Sequence, residues 1–340
     1  MHPLSVMTRI SSRLFFYRTP GLLMAAGLFF LAQASSSLAD GSDTEVHDWL
    51  KRMVESVHTL NYDGTFVYLH DNHMETMRVI HAVHDNDEHE RLISLNGAAR
   101  QVIRDNASVT CVTPDSKSIS IGKRMLGQGF RAVFSADTRE LADFYEFSMI
   151  GESRVADRKT KVFAIIPKDN YRYGYRIYLD VENALPLKTD MLDSEGVAVS
   201  QIMFTSLRIE NSIASESESY LDGKENYRWN QEKPNSPLGE SGSSWTFRQL
   251  PNGFKKIYHT KKSSSKGRED VDHLVLSDGL ATLSVYIEDR SLGNVLTGAS
   301  RMGAVNAFGI QLSGHHVTVV GEVPALTVES VANSLLPAQQ

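Results

Sequence analysis

Apolar positions change period once in this chain, near residue 60, and then hold a period of two for most of its length. Residues 43 to about 60 carry Val46, Trp49, Leu50, Met53, Val54 and Val57 at helical spacing, with Ser42 or Asp43 placed to cap the start. The stretch Asn61-Tyr62-Asp63-Gly64-Thr65-Phe66-Val67-Tyr68 follows. Asp63-Gly64 predicts a turn there, because Gly tolerates positive φ. Thr65 to Tyr68 then alternates as a strand, with Phe66 and Tyr68 on one face and Val67 and Leu69 on the other. Bulky groups on both faces predict a sheet covered on one side and facing an apolar interior on the other.

Hairpins continue to about Thr113. Met77, Val79, His81 and Val83 alternate with Arg78, Ile80, Ala82 and His84, the polar run 85–88 turns the chain, and Asn96-Gly97 is a strong turn dipeptide. Residues 114–134 lack periodicity and read as a crossing loop. Residues 135–145 read as a short helix capped by Ser135. Strands resume at Glu146, and Lys161 to Pro167 forms one. Tyr171 to Asp180 reads as the clearest strand in the chain, placing Tyr171, Tyr173, Tyr175, Ile177 and Leu179 on one face and Arg172, Gly174 and Arg176 on the other. Further strands are expected at 187–192 and 201–207.

Composition shifts at about 212–244, where Pro, Gly and Ser dominate, and this reads as a linker. Beyond it, from Trp245, strands around 253–258, 273–276, 281–287, 304–312 and 316–323 and a closing helix from Ala325 to Leu336 predict a small α+β domain. The expected division is therefore 40–212, a linker 213–244, and 245–340. The fold class is α+β, mainly antiparallel β: a large, curved, open-barrel sheet with covering helices, then the smaller domain.

Charge and the amino terminus set the compartment. Residues 1–39 hold Arg9, Arg13 and Arg18, no acid, an apolar run over 21–31, and Ser37-Leu38-Ala39 at the end. That layout predicts a secretory signal peptide cut after Ala39 and hence an exported protein. Removing those three Arg from the 35 basic residues leaves 32 against 41 acidic ones, a net charge of −9. Such a surface argues against nucleic acid as a partner. The single Cys111 cannot form an internal disulfide and reads as a small buried strand residue.

Catalytic chemistry is sparse. The cluster His84-Asp85-Asn86-Asp87-Glu88-His89-Glu90 matches no standard zinc or calcium spacing and reads as a solvated turn. No Gly-x-Ser-x-Gly elbow sits in a strand–turn–helix setting. Neither an enzyme, a cofactor nor a metal is expected.

The motifs Tyr62-Asp63-Gly64-Thr65-Phe66-Val67-Tyr68, Glu90-Arg91-Leu92, Leu95-Asn96-Gly97 and Tyr173-Gly174-Tyr175 occur in this order in one family. So do Leu185-Pro186-Leu187-Lys188, Asp278-Gly279-Leu280-Ala281, Ser284-Val285-Tyr286-Ile287-Glu288 and the run Val317 to Pro324. The chain resembles the RseB/MucB family, periplasmic regulators of the sigma-E envelope-stress pathway. The resemblance implies an amino-terminal domain similar to the LolA/LolB lipoprotein-carrier fold, with a lipid-accepting cavity. It also implies binding to the periplasmic domain of a membrane-spanning anti-sigma factor, which is shielded from site-1 proteolysis until lipid A or acyl chains release the hold.

Strand alternation assigns Phe66, Tyr68, Met77, Val79, Tyr173, Tyr175, Ile177 and Phe204 to the interior of the open barrel, with ordinary core packing as the competing role for each. Motif position marks Asp278, Gly279, Leu280, Thr318, Val320 and Glu322 as partner contacts, against which stand a tight turn and a core strand. A soluble periplasmic lipid or lipoprotein carrier is the alternative function. A homo-oligomer stays open.

Overall fold

The computed structural model describes residues 39–85, 87–105, 108–123, 138–213, 226–231, 244–262, 271–289 and 296–338. The expected signal peptide lies outside them. Asp40–Gln340 form one compact unit.

Helix α1 (Ala39–Thr59) starts four residues earlier than the apolar spacing predicts. Ser42 and Asp43 therefore lie within its first turns instead of preceding them. The expected stripe is its buried side: Val46, Trp49, Leu50, Met53 and Val57. Each such side chain contributes about 1.5–3 kcal/mol by leaving water. Trp49 is also flanked by Arg52, 4.3 Å from its ring centroid, and Lys161, at 4.9 Å.

The chain then builds a hairpin series: β1 (Asn61–His70), β2 (His73–His84), β3 (Asp87–Ser94), β4 (Gln101–Arg104), β5 (Ser108–Thr113) and β6 (Ser118–Lys123). A short α2 (Thr138–Leu141) precedes β7 (Tyr145–Val155), β8 (Arg158–Pro167), β9 (Gly174–Asp180), β10 (Pro186–Leu192) and β11 (Ala198–Glu210). With β12 (Arg228–Gln231) these make one twelve-stranded sheet in the order β12-β6-β5-β4-β3-β2-β1-β11-β10-β9-β8-β7. The terminal strands β12 and β7 do not pair with each other, so the barrel is unclosed.

Three expectations need correction. The Asp63-Gly64 pair is no turn: it lies inside β1, where Gly64 faces Val79 on one side and Leu207 on the other. Its glycine serves close approach, since a Cβ there would stand 2.7 Å from the Phe204 ring. The loop expected at 114–134 contains β6, and residues 124–134 lie outside the described set. The Tyr171–Asp180 strand begins only at Gly174. Within the segment 213–244, expected as a linker, lies β12, which pairs parallel with β6 through Trp229↔Ile119 and its neighbours. Ser135, the expected cap before α2, also falls outside the described residues.

The two faces of β1 are unequal as well. Tyr62, Phe66 and partly buried Tyr68 share a cluster with Val57 of α1, while Leu69 on the opposite face is exposed. One face thus carries both the helix and the apolar interior, rather than one face each.

The second sheet follows β13 (Trp245–Phe247) and comprises β14 (Lys255–Lys262), β15 (Val271–Ser277), β16 (Thr282–Asp289), β17 (Gly298–Met302), β18 (Val305–Leu312) and β19 (His315–Gly321). Their order is β14-β15-β16-β19-β18-β17. Helix α3 (Ala325–Ser334) packs Val328, Val331 and Ala332 on Leu274, Leu283, Val285, Val317 and Val319. The closing helix is shorter than expected, because Leu335–Pro337 leaves it as β20 and pairs with β13. Alternation in β16 and β19 puts that core on one face and leaves Ser284, Val320 and Glu322 on the other.

Candidate functional site

The remaining face of the second sheet looks onto the inner face of the first, and a cavity of about 790 Å³ lies between them. From the first sheet it is walled by Tyr62, Phe66, Tyr68, Met77, Val79, Leu92, Tyr175, Met191, Ile202 and Phe204. From the second come Val275, Leu280, Leu283, Ser284, Met302, Val305, Val320 and Glu322. The register explains the first wall. Phe66 pairs with Met77 and with Phe204, so their side chains emerge on one face. Phe204 meets Phe66 edge-on at 5.8 Å between centroids and Tyr62 at 6.5 Å, an aromatic floor that Gly64 leaves room for.

Polar groups ring this apolar space. Arg104 bonds Glu90, while Arg100 and His70 each approach Glu75 at 3.6 Å. Glu322 is different. Its side chain is exposed by accessible surface, and desolvation by the protein packed around it raises its pKa against the opposing pull of His70. Burial pushes the Tyr68 hydroxyl up to about 12, with further contributions from Glu322 and Glu75. Burial raises Tyr175 too, followed by the charge of Glu322.

A second cluster joins the sheets beside the cavity. The Arg172 guanidinium and the Asp278 carboxylate are both fully buried and bonded through Nε at 2.5 Å. Tyr145 donates its hydroxyl to the same carboxylate at 2.9 Å. Arg172 also bonds Asp169 and the carbonyl of Asn252, and lies over the rings of Phe144, Tyr145 and Phe254. Burial alone would lower the Arg172 pKa, but the bonds and charge of Asp278 outweigh it and the net shift is upward. The Asp278-Gly279-Leu280-Ala281 turn aims that carboxylate. Asp278 Oδ1 accepts the amides of Leu280 at 2.8 Å and Ala281 at 2.7 Å, and Gly279 takes φ of 103°. Asn306 donates to the Tyr173 hydroxyl at 3.0 Å and to the Val323 carbonyl at 2.8 Å, and Thr327 donates to the Tyr171 carbonyl at 2.7 Å.

Of the eight residues assigned to the interior, Phe66, Tyr68, Met77, Val79, Tyr175 and Phe204 line the cavity. Ile177 does not: it is fully buried in the cluster that includes Trp49, Leu50 and Met53 of α1. Tyr173 belongs to the junction with Asn306. Of the six motif positions in the second sheet, Leu280, Val320 and Glu322 line the cavity, Asp278 is buried, and Gly279 is the exposed residue of their turn. Thr318 does not line it, and its Oγ1 bonds His316 Nε2 at 3.1 Å. Sequence reasoning missed Tyr145, Arg172, Asn306 and Thr327. Nothing in the local pattern distinguishes a buried Arg172 from a solvated one, since its partner lies 106 residues away.

Among the described residues no three His, Cys, Asp or Glu side chains are grouped to hold a metal ion. Two facing sheets around an apolar, ionically rimmed cavity define a binding protein. Similarity to known proteins gives the family. Residues 45–220 match the MucB/RseB N-terminal domain and residues 239–336 the MucB/RseB C-terminal domain, so the chain belongs to the MucB/RseB family. It is 33% identical over 330 residues to the sigma factor AlgU regulatory protein MucB of Pseudomonas aeruginosa, covering 94% of this chain and 98% of MucB. It is 25% identical over 315 residues to the sigma-E factor regulatory protein RseB of Escherichia coli K12, covering 92% and 95%. Its fold matches the solved MucA/MucB complex of P. aeruginosa with a TM-score of 0.68 at 30% identity, over 87% of this chain and 100% of the other.

Proposed function

We propose that this protein is a periplasmic negative regulator of a sigma-E-type envelope-stress response. It binds the periplasmic domain of a membrane-spanning anti-sigma factor, shields it from site-1 proteolysis, and releases it when lipid A or another acylated amphiphile enters the cavity. The partner is supported by a similar protein, MucB, solved in complex with MucA(peri). The observation that carries the lipid step is that one apolar cavity takes its walls from both sheets. An acyl chain there contacts both sheets at once, so its binding energy depends on how they are set. If lipid and partner favour different settings, each weakens the other by the same factor.

In this reading residues 40–212 supply the lipid-sensing sheet and 245–340 the part that engages the anti-sigma factor. Asp278 acts on the partner only through the junction it holds, because it is shut inside it, whereas Gly279 is exposed in the same turn and open to direct contact. The carrier alternative is less favoured: a carrier needs one sheet and a lid, whereas here the second sheet forms much of the cavity wall.

The test is capture of an anti-sigma periplasmic domain by the mature protein, with and without lipid A. Capture that lipid A weakens at least several-fold is expected. Capture indifferent to lipid A leaves a regulator without the sensor, and no capture at all overturns the regulator. Photo-crosslinking with an acyl probe is expected to label the six lining residues and spare Ile177.

A further inference from the structure

A sheet ends in unpaired backbone, and proteins shield such edges with lysines, bulges or very short strands. Among the described residues the two large sheets have four edge strands, β12, β7, β14 and β17. Three are shielded. β14 carries Lys255, Lys256, Lys261 and Lys262, β7 shifts register between Met149 and Gly151, and β12 stops after four residues. β17 pairs with β18 in unbroken register and has neither Lys nor Pro. The side chains of its run Gly298-Ala299-Ser300 are too small to cover the backbone, and residues 299–302 are exposed.

A slot of about 370 Å³ adjoins this strand, and Ala299, Ser300 and Arg301 all line it. Side chains alternate along a strand, so three consecutive lining residues place the slot along the edge and not over a face. β18 occupies the other edge through Ser300↔Ala307, hence the slot lies at the free one. Asp193 and Ser194 of the β10–β11 turn and Pro324 before α3 help complete its walls. A slot of that volume, walled by both sheets, admits side chains of one extended chain and not the edge of a second folded copy. Met302, 66% exposed at the end of β17, also lines the cavity between the sheets. We infer that the free edge of β17 binds an extended segment of the partner as an added strand. Main-chain hydrogen bonds supply affinity in that mode, and a slot for a side chain supplies specificity. That the partner is the anti-sigma periplasmic domain rests on the proposed function. An acyl chain in the cavity and the added strand then meet at Met302, which gives their mutual weakening a place.

Binding of the anti-sigma periplasmic domain from the same organism is measured for the mature protein and two variants. Ala299→Lys/Ser300→Lys gives β17 the shielding that β14 has, at two exposed positions. Ile257→Lys adds a charge at the other edge of the sheet, where Ile257 is 53% exposed. Affinity is expected to fall about tenfold or more in the double variant and to stay within about twofold in Ile257→Lys. Amide hydrogen exchange of the wild type is expected to slow at 299–302 on adding the partner, and not at 255–262. Full affinity in a double variant that melts like the wild type overturns the inference and leaves the regulator reading intact. If the double variant does not fold, exchange decides: no slowing at 299–302 overturns the inference. Slowing there with rising protein concentration alone assigns the edge to a second copy and overturns it too. A wild type that binds no partner removes the proposed function, and the inference with it.

Discussion

Replacing Asp278 with Ala removes the acceptor of four hydrogen bonds at once, from Arg172 Nε, the Tyr145 hydroxyl and the amides of Leu280 and Ala281. It leaves the Arg172 guanidinium buried under three rings, with Asp169 as its remaining carboxylate. Removing one member of a buried pair costs about 3–5 kcal/mol, because the stranded charge keeps its desolvation penalty. Asp278→Asn separates two contributions: an amide oxygen retains the turn's N–H bonds but loses the charge. Arg172→Met removes the stranded cation, so Asp278→Ala/Arg172→Met is expected to cost less than the sum of the singles. Urea unfolding followed by tryptophan fluorescence reads the effect, since Trp49 sits under the first sheet and Trp245 in the core of the second. The expected outcome for Asp278→Ala is earlier unfolding and two separated transitions where the wild type shows one. Stability within 1 kcal/mol of wild type and a single transition would refute the reasoning that this pair joins the sheets.

Gly64→Ala is expected to cost about 1–3 kcal/mol by overpacking against Phe204, and Phe204→Leu in the same chain to recover part of it. Thermal unfolding of the two variants checks this. Glu322→Gln is expected to stabilise the protein at neutral pH. The folded-state pKa of Glu322 is raised, so the wild type bears a penalty for its charge that is fully present above the folded pKa and absent below the unfolded value of about 4.3. Melting curves of wild type and variant should therefore converge in acid. Asp63 behaves with the opposite sign: the Arg78 hydrogen bond, followed in effect by that of Arg208 against some burial, lowers its pKa. Its contribution is full above an unfolded pKa of about 3.9 and lost as pH falls through the lowered folded value, so Asp63→Asn should reduce stability at pH 7 and matter little in strong acid.

Much of the fold was legible because the signals are local. The stripe from Val46 to Val57 requires a helix with one buried side, and the alternation through Phe66, Met77 and Val79 requires strands with a common inner face. Those two periods alone located α1 and six of the eight proposed cavity residues. The ordered motifs from Tyr62 to Pro324 pointed to the family that the domain matches identify.

What failed depended on distant partners. Asp63-Gly64 has the chemistry of a turn, yet it lies in a strand because the Phe204 ring, 140 residues on, needs the space a side chain would take. Tyr171 to Tyr173 alternate like the strand that follows them, but Arg172 is drawn out of that pattern by Asp278, and Tyr173 goes with it to Asn306. Residues 228–231 sit in a segment with linker composition and still pair with β6, since an edge strand offers backbone hydrogen bonds to whatever segment reaches it. Glu322 looked like one position in a motif, and only the meeting of two sheets made it the carboxylate of a cavity. Periodicity, then, determined which side chains turn inward on each sheet, because that follows from backbone geometry one residue at a time. The tertiary structure alone decided what they turn toward, because the facing wall and the buried ion pair each require groups far apart in the chain to meet.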